Sequence, residues 1–193
     1  MVLEQLMQAE YGAHYLVIYS DITALRELYA IYAKTQLEDN DEIVMLIPYL
    51  ETNDMVRRTL TENAANIDIQ KYERKEEEEK SSLIILDSAK AYFGIGDIDK
   101  MDLEKYIQSL VKRAERQGKK GVSIITDVGA FYLFEEIEKF IKYELLLPIK
   151  YDIKLKRFCV CSQSYFDKLS KEQKRKVLSH HGKYLIVTSN ANI

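Results

Sequence analysis

The feature that most constrains this chain is an alternation. Short, nearly continuous apolar runs repeatedly give way to segments whose apolar residues recur at helical spacing. A run such as His14-Tyr-Leu-Val-Ile-Tyr19 offers no polar face. It suits a strand covered on both sides, as in a parallel sheet flanked by helices. Residues 42–48, 67–72, 82–87, 121–127, 157–161 and 184–188 read as further strands. Between them, Leu25, Leu28, Tyr29, Tyr32 and Gln36 mark one helical face, and Asn53 is a candidate cap for a helix carrying Met55, Val56 and Leu60. Leu103, Ile107, Leu110, Val111 and Ala114 form the clearest stripe, in a helix expected over 99–117 with Asp99 as its N-cap and Gly118 as its stop. A helix over 133–147 presents Leu133, Ile137, Phe140 and Ile141, and Ser170-Lys-Glu-Gln173 is a capping box opening another. Strands alternating with helices of this length predict an α/β, three-layer, doubly wound domain with a mostly parallel sheet, spanning 1–193.

Composition narrows the function classes. At 193 residues, 47% hydrophobic and 31% charged, the chain buries a core without metal or disulfide staples. No apolar run approaches the length of a membrane span, and Glu4 stands where a signal peptide carries positive charge. With only two cysteines, a reducing cytoplasm is the expected compartment. The net charge of −3 conceals an asymmetry: residues 150–193 carry ten Lys/Arg against three Asp/Glu. Without an arginine-rich arm, Lys171, Lys174, Arg175 and Lys176 read as the wet face of a helix against an acidic body, not as a nucleic-acid surface. The charged run 74–80 reads as a solvated connection.

The usual chemistry motifs are absent from the sequence. Tyr19-Ser-Asp-Ile-Thr-Ala-Leu25, after the first strand, has neither the glycines nor the lysine of a phosphate-cradling loop. Gly94-Ile-Gly96 is a fragment of a dinucleotide fingerprint in the wrong setting. Leu83-Ile-Ile-Leu-Asp87 looks like a magnesium-binding strand end, but it lacks a phosphate loop to serve. Cys159 and Cys161 share a strand face and with His14, His180 or His181 could hold zinc, although buried core cysteines are commoner, so no metal and no cofactor are expected. His180-His181 reads as a helix end. Three polar residues stand out. His14 heads an apolar strand, Glu144 lies on the core stripe of its helix, and Asp127 ends a strand where open α/β sheets bind ligands. Of the fourteen tyrosines, Tyr92 and Tyr132 follow strand ends and are suited to a pocket wall.

The order of certain residues carries a resemblance over about 11–188. Gly12-Ala-His14 leads into a strand ending at Tyr19; Gln36-Leu37 and Asp41-Glu42 follow; Tyr92-Phe93-Gly94 precedes a long helix. Then come Gly121-Val-Ser-Ile with Thr126-Asp127 and Phe131, the pair Tyr143-Glu144, Cys161 with Gln163, and Leu178 followed by His181-Gly182. This set resembles the MEDS (methanogen/methylotroph sensory) domain family, a degenerate relative of the RecA/KaiC-like ATPase fold. It departs from the family pattern at Ser123, where the family has Arg, and in lacking the glycines near 36–42. The resemblance implies a non-catalytic sensory module that kept a RecA-like sheet and lost the phosphate loop. It would bind a small organic ligand at the strand ends through His14, Tyr19, Tyr92, Asp127, Glu144, Cys161 and His181. Output would pass through a protein partner or homo-oligomer. The rival expectations are a KaiC/RecA-like interaction module without ligand and an unorthodox ATPase.

Overall fold

The structure is a computed structural model that describes residues 1–62, 65–74, 78–94 and 102–188. Its centre is a six-stranded sheet of β1 (His14–Tyr19), β2 (Ile43–Ile47), β3 (Leu83–Ile85), β4 (Val122–Asp127), β5 (Leu155–Ser162) and β6 (Lys183–Val187), in the order β3-β2-β4-β5-β1-β6. Every pairing between these strands is parallel, with His14 opposite Arg157 and Tyr19 opposite Ser162 in the β1–β5 register. The expected α/β, doubly wound architecture is present. Except in the edge strand β6, the strands are buried on both faces, so alternate residues supply cores on the two sides of the sheet.

On the first face, Val17, Tyr19, Val44, Ile125, Phe158 and Val160 pack under α1 (Val2–Met7), α2 (Ile22–Glu38), α3 (Asn53–Thr61) and α4 (Ile69–Tyr72). The second face has two clusters. α6 (Leu103–Arg116) covers Ile43, Met45, Val122 and Ile124 through the stripe read from sequence. α8 (Ile137–Leu146), α9 (Gln163–Lys168) and α10 (Lys171–Ser179) cover Leu16, Ile18, Cys159 and Cys161. The short helices α5 (Ser88–Phe93) and α7 (Gly129–Leu133) follow β3 and β4 on this side.

Several local expectations are corrected. Residues 67–72 form no strand: Ile69 and Tyr72 are one helical turn apart, and α4 places Tyr72 in the first core. The helix expected over 133–147 is two. α7 stops at Phe134, Glu135 adopts φ +55, and α8 starts at Ile137, which leaves Leu133 59% exposed instead of in the core stripe. Thr52, not Asn53, caps α3, its Oγ1 accepting from Met55 N at 3.2 Å. α6 is capped by Asp102. Asp99, Gly96 and residues 75–77 of the charged run lie outside the described residues. Gly118 does follow its helix with φ +70. Asp87 caps α5 by accepting from Lys90 N. The outer face of α10 is solvated, with Lys174 against Asp167 and Lys176 against Glu172.

Candidate functional site

Six of the seven residues singled out from sequence fall into two places, and Cys161 lies apart from both. Tyr19 and Asp127 point to the first face at the carboxyl ends of β1 and β4, where Tyr19 Oη donates to Asp127 Oδ2 at 2.9 Å and Gly129 N donates to Oδ1 at 2.8 Å. Neighbouring strands β1 and β5 send their following helices to opposite faces, so this is a topological switch point, where open sheets usually bind ligands. Here the two side chains fill it. The remaining cavity, bounded by Tyr29, Pro48, Glu51 and Asp127, is about 20 Å³, room for about one water. Burial raises the Asp127 carboxyl to about 7.

His14, Tyr92, Glu144 and His181 meet on the second face, near the amino ends of β1, β5 and β6. The pleat explains the meeting. His14 begins β1 on the same side as Leu16, and Arg157 and Cys159 alternate out of β5 toward the same helix layer. α8 brings Glu144 down one turn from Phe140 and Ile141, and the chain leaving α10 places His181 against it. All of His14, Glu144, Arg157 and Cys159 are inaccessible to solvent, and His181 nearly so. One donor atom each from His14, Glu144, Cys159 and His181 lies within 4.8 Å of the others. Cys159 Sγ is 3.5 Å from His14 Nε2, Glu144 Oε2 is 3.9 Å from His14 Nε2 and 3.1 Å from His181 Nε2, and the imidazole centroids are 4.3 Å apart.

Both imidazoles are held from behind. His14 Nδ1 is 2.9 Å from Pro148 O, and His181 Nδ1 is 2.8 Å from Val177 O. A carbonyl can only accept, so each Nδ1 carries the proton and each Nε2 turns toward the cluster. His180, one residue earlier, reaches Leu147 O instead and serves as the helix end expected of it. Burial and the neighbouring His181 hold His14 down to about 3. Burial opposes charge on His181 as well, but Cys159 and Glu144 outweigh it and carry that imidazole up to about 10. Burial raises Glu144. It would raise the Cys159 thiol too, yet His181 and Arg157 prevail and lower it.

The cluster is under-satisfied. Both Glu144 oxygens, His181 Nε2, Arg157 Nε and the Tyr92 hydroxyl are buried without a hydrogen-bond partner, the 3.1 Å approach of Glu144 to His181 being poorly aligned. Arg157 is otherwise paired: Nη1 donates to Glu104 Oε1 at 2.8 Å and to Tyr151 Oη at 3.2 Å, and Nη2 donates to Tyr143 Oη. Beyond Tyr92 opens a groove of about 710 Å³, walled by Tyr92, Phe93, Leu103, Glu104, Phe131 and Tyr143.

A polar centre on the first face is a useful contrast. There Lys156 Nζ donates to Glu42 Oε1 at 2.7 Å and Gln36 Oε1 at 3.3 Å, while Tyr11 and Ser123 donate to the same carboxylate. That centre is saturated and has no capacity for a ligand.

Cys161 lies on the same strand face as Cys159 but toward the carboxyl end, its Sγ 3.5 Å from Ser162 O, and burial raises its thiol. It is not in the cluster; Cys159 is. Sequence reasoning also passed over Arg157, although Arg157, Cys159 and Cys161 at period two already placed a buried cation beside the cysteines.

By sequence the chain matches no protein-family model and no curated protein. By structure it is similar to the KaiC-like protein PH0186 from the hyperthermophilic archaeon Pyrococcus horikoshii OT3, with a TM-score of 0.53 and 12% identity over 95% of this chain and 74% of that one. The likeness, with the all-parallel sheet and its two helix layers, shows a RecA/KaiC-like α/β fold.

Proposed function

We propose that the chain is a non-catalytic sensing module of RecA/KaiC-like fold, as the MEDS resemblance implies, with a small and largely apolar organic ligand held in the groove beside Tyr92. The observation that carries this reading is where unpartnered polarity meets the groove. An aromatic-walled opening of about 710 Å³ is lined in part by Tyr92, whose buried hydroxyl lies near Thr126, Glu144 and Arg157 without a well-formed hydrogen bond. Ligand sites combine apolar walls with a few oriented polar groups in this way. The filled crevice at Tyr19 and Asp127 speaks against phosphate chemistry at the usual position. In this reading His14, Glu144 and His181 form the polar end of the site, Tyr92 links it to the groove, and Tyr19, Asp127 and Cys161 act as framework.

Native mass spectrometry of freshly purified protein, set beside the denatured mass, is the test. The expected result is a non-covalent organic adduct lost on denaturation. Phe93→Ala removes an aromatic wall that packs on Phe131 at 5.1 Å and should weaken that adduct about tenfold. Equal native and denatured organic mass, with no melting shift from a panel of small alcohols, amines and ketones, refutes the reading.

A second feature favours output through protein association. β6 is an edge strand of the described sheet, and Tyr184 and Ile186 stand 54% and 50% exposed on it. Unpaired strand edges with apolar side chains readily add another strand. Sedimentation across a concentration series should show self-association that Ile186→Lys abolishes; a monomer throughout, with no partner retained, refutes this route.

A further inference from the structure

We infer that His14, Glu144, Cys159 and His181 form a binding site for a borderline divalent transition-metal ion of the zinc class. The inference goes beyond the sensing reading, and it stands whether or not the groove accepts an organic molecule.

With both Nδ1 protons committed to Pro148 O and Val177 O, each neutral imidazole presents an Nε2 lone pair to the cluster, His181 once it gives up the second proton that its carboxylate and thiol neighbours favour. Glu144 as carboxylate brings only lone pairs, and Cys159 brings sulfur lone pairs with at most one weak S–H donor. Without those protons on His181 and Cys159, acceptors face acceptors at 3.1, 3.5 and 3.9 Å inside a dry interior. Such a set needs a cation at its centre, and a proton or two on His181 and Cys159 satisfies only part of it. The unpartnered Glu144 oxygens and His181 Nε2 are what remains unmet.

Geometry and chemistry agree on the metal. Bonds of about 2.0–2.3 Å from zinc to nitrogen, oxygen and sulfur place tetrahedral ligand atoms roughly 3.3–3.7 Å apart. Three of the six separations, 3.1, 3.5 and 3.9 Å, bracket that range, and all four atoms lie within 4.8 Å of one another, so the shell closes with side-chain shifts of up to about an ångström. Two imidazoles, one thiolate and one carboxylate select zinc or a similar borderline ion over magnesium or calcium. The carbonyls behind both histidines are the outer shell that fixes a ligating tautomer. Charge also balances. Arg157 is answered by Glu104 at 2.8 Å, which leaves the carboxylate and a thiolate to neutralise a divalent ion. Binding would release the thiol proton and any proton held on His181.

The experiment uses cobalt as a spectroscopic stand-in. The full chain is produced in cobalt-supplemented medium, purified, and examined for metal content and absorption. One equivalent of cobalt with a thiolate-to-cobalt charge-transfer band is expected. Cys159→Ser should lose that band and bind cobalt on the order of 100-fold or more weakly, since losing a ligand costs more than the roughly 10–100-fold typical of losing a group that only orients one. Cys161→Ser should keep both the band and the affinity. Folded wild-type protein that carries no cobalt, or a band that survives Cys159→Ser, overturns the proposal. Should Cys159→Ser fail to fold, X-ray absorption on the wild type decides instead. One sulfur and two imidazole scatterers support the site; an all-oxygen shell refutes it. A protein that binds metal but shows no organic adduct refutes the groove reading and leaves the metal site standing.

Discussion

Asp127 should make this protein less stable as the medium becomes more alkaline, the reverse of a salt-bridged aspartate. Its carboxyl is buried at the end of β4, and its two hydrogen-bond donors, Tyr19 Oη and Gly129 N, are both neutral. Burial raises it from 3.8 to about 7. Below about pH 4 both folded and unfolded chains hold the proton, and the residue makes no difference. Between about pH 4 and 7 the unfolded chain ionises first, so folding loses about 1.4 kcal/mol per pH unit, up to about 4 kcal/mol above pH 7. That figure is an upper limit, because water entering the small cavity beside Asp127 relieves part of the penalty. An asparagine at this position would preserve the shape: its side-chain oxygen accepts from Gly129 N and its amide faces the Tyr19 oxygen. Urea unfolding of wild type and Asp127→Asn at about one-unit steps from pH 4.5 to 7.5 isolates the residue, because all other titrating groups are common to both. The variant should gain relative stability steadily with pH, by a few kcal/mol in all. Two curves that stay parallel within about 0.5 kcal/mol would refute the argument and mean that Asp127 titrates as an ordinary surface carboxylate.

Two further outcomes follow from buried charge and backbone strain. Lys156→Met strands the Glu42 carboxylate in the first-face network and should cost about 3–5 kcal/mol in urea unfolding, most of it recovered in the double variant with Glu42→Gln. Gly12 has φ +94, and a Cβ there would collide with the Tyr151 carbonyl; Gly12→Ala should cost at least about 1–3 kcal/mol, visible as a melting temperature several degrees lower.

The fold was legible because its signals are local and repeated. Six of the seven expected strands are present, since a strand buried on two faces must be apolar along its length, and the stripe from Leu103 to Ala114 is buried as its spacing requires. Residues 67–72 misled because a short apolar run looks alike in a strand and in a single helical turn. The break at Glu135 was hidden by a left-handed residue that carries no glycine to announce it. The site was legible in part. Glu144 on a core stripe and His14 at the head of a strand are misplaced polar residues by any reading, and they do meet. Which cysteine joins them depends on register. Cys159 sits opposite Leu16, within reach of the His14 ring, while Cys161 sits opposite Ile18, one pleat too far. Spacing along β5 could not choose between the two, because both share a face.

The adjacent cations Lys156 and Arg157 give one strand two unlike polar centres, one on each face. The pleat sends them to opposite faces at the same height of the sheet, and each draws acidic and phenolic partners into its layer. Around Lys156 the contacts close on Glu42 and Gln36, so the network ties β2, β4 and β5 to α2 and pairs its polar atoms. Around Arg157 the partners are Glu104, Tyr143 and Tyr151, and Nε, Tyr92 Oη and the two Glu144 oxygens are left over beside two anchored imidazoles. A buried polar atom without a partner costs about 1–3 kcal/mol, so several together are a large concession in a domain whose net stability is about 5–15 kcal/mol. A ligand that satisfies them recovers that energy on binding, and the bound state is then the more stable one. The asymmetry between the two faces therefore separates a centre whose polar atoms are paired from one whose polar atoms are not, and the second is where the proposed ligand or metal would bind.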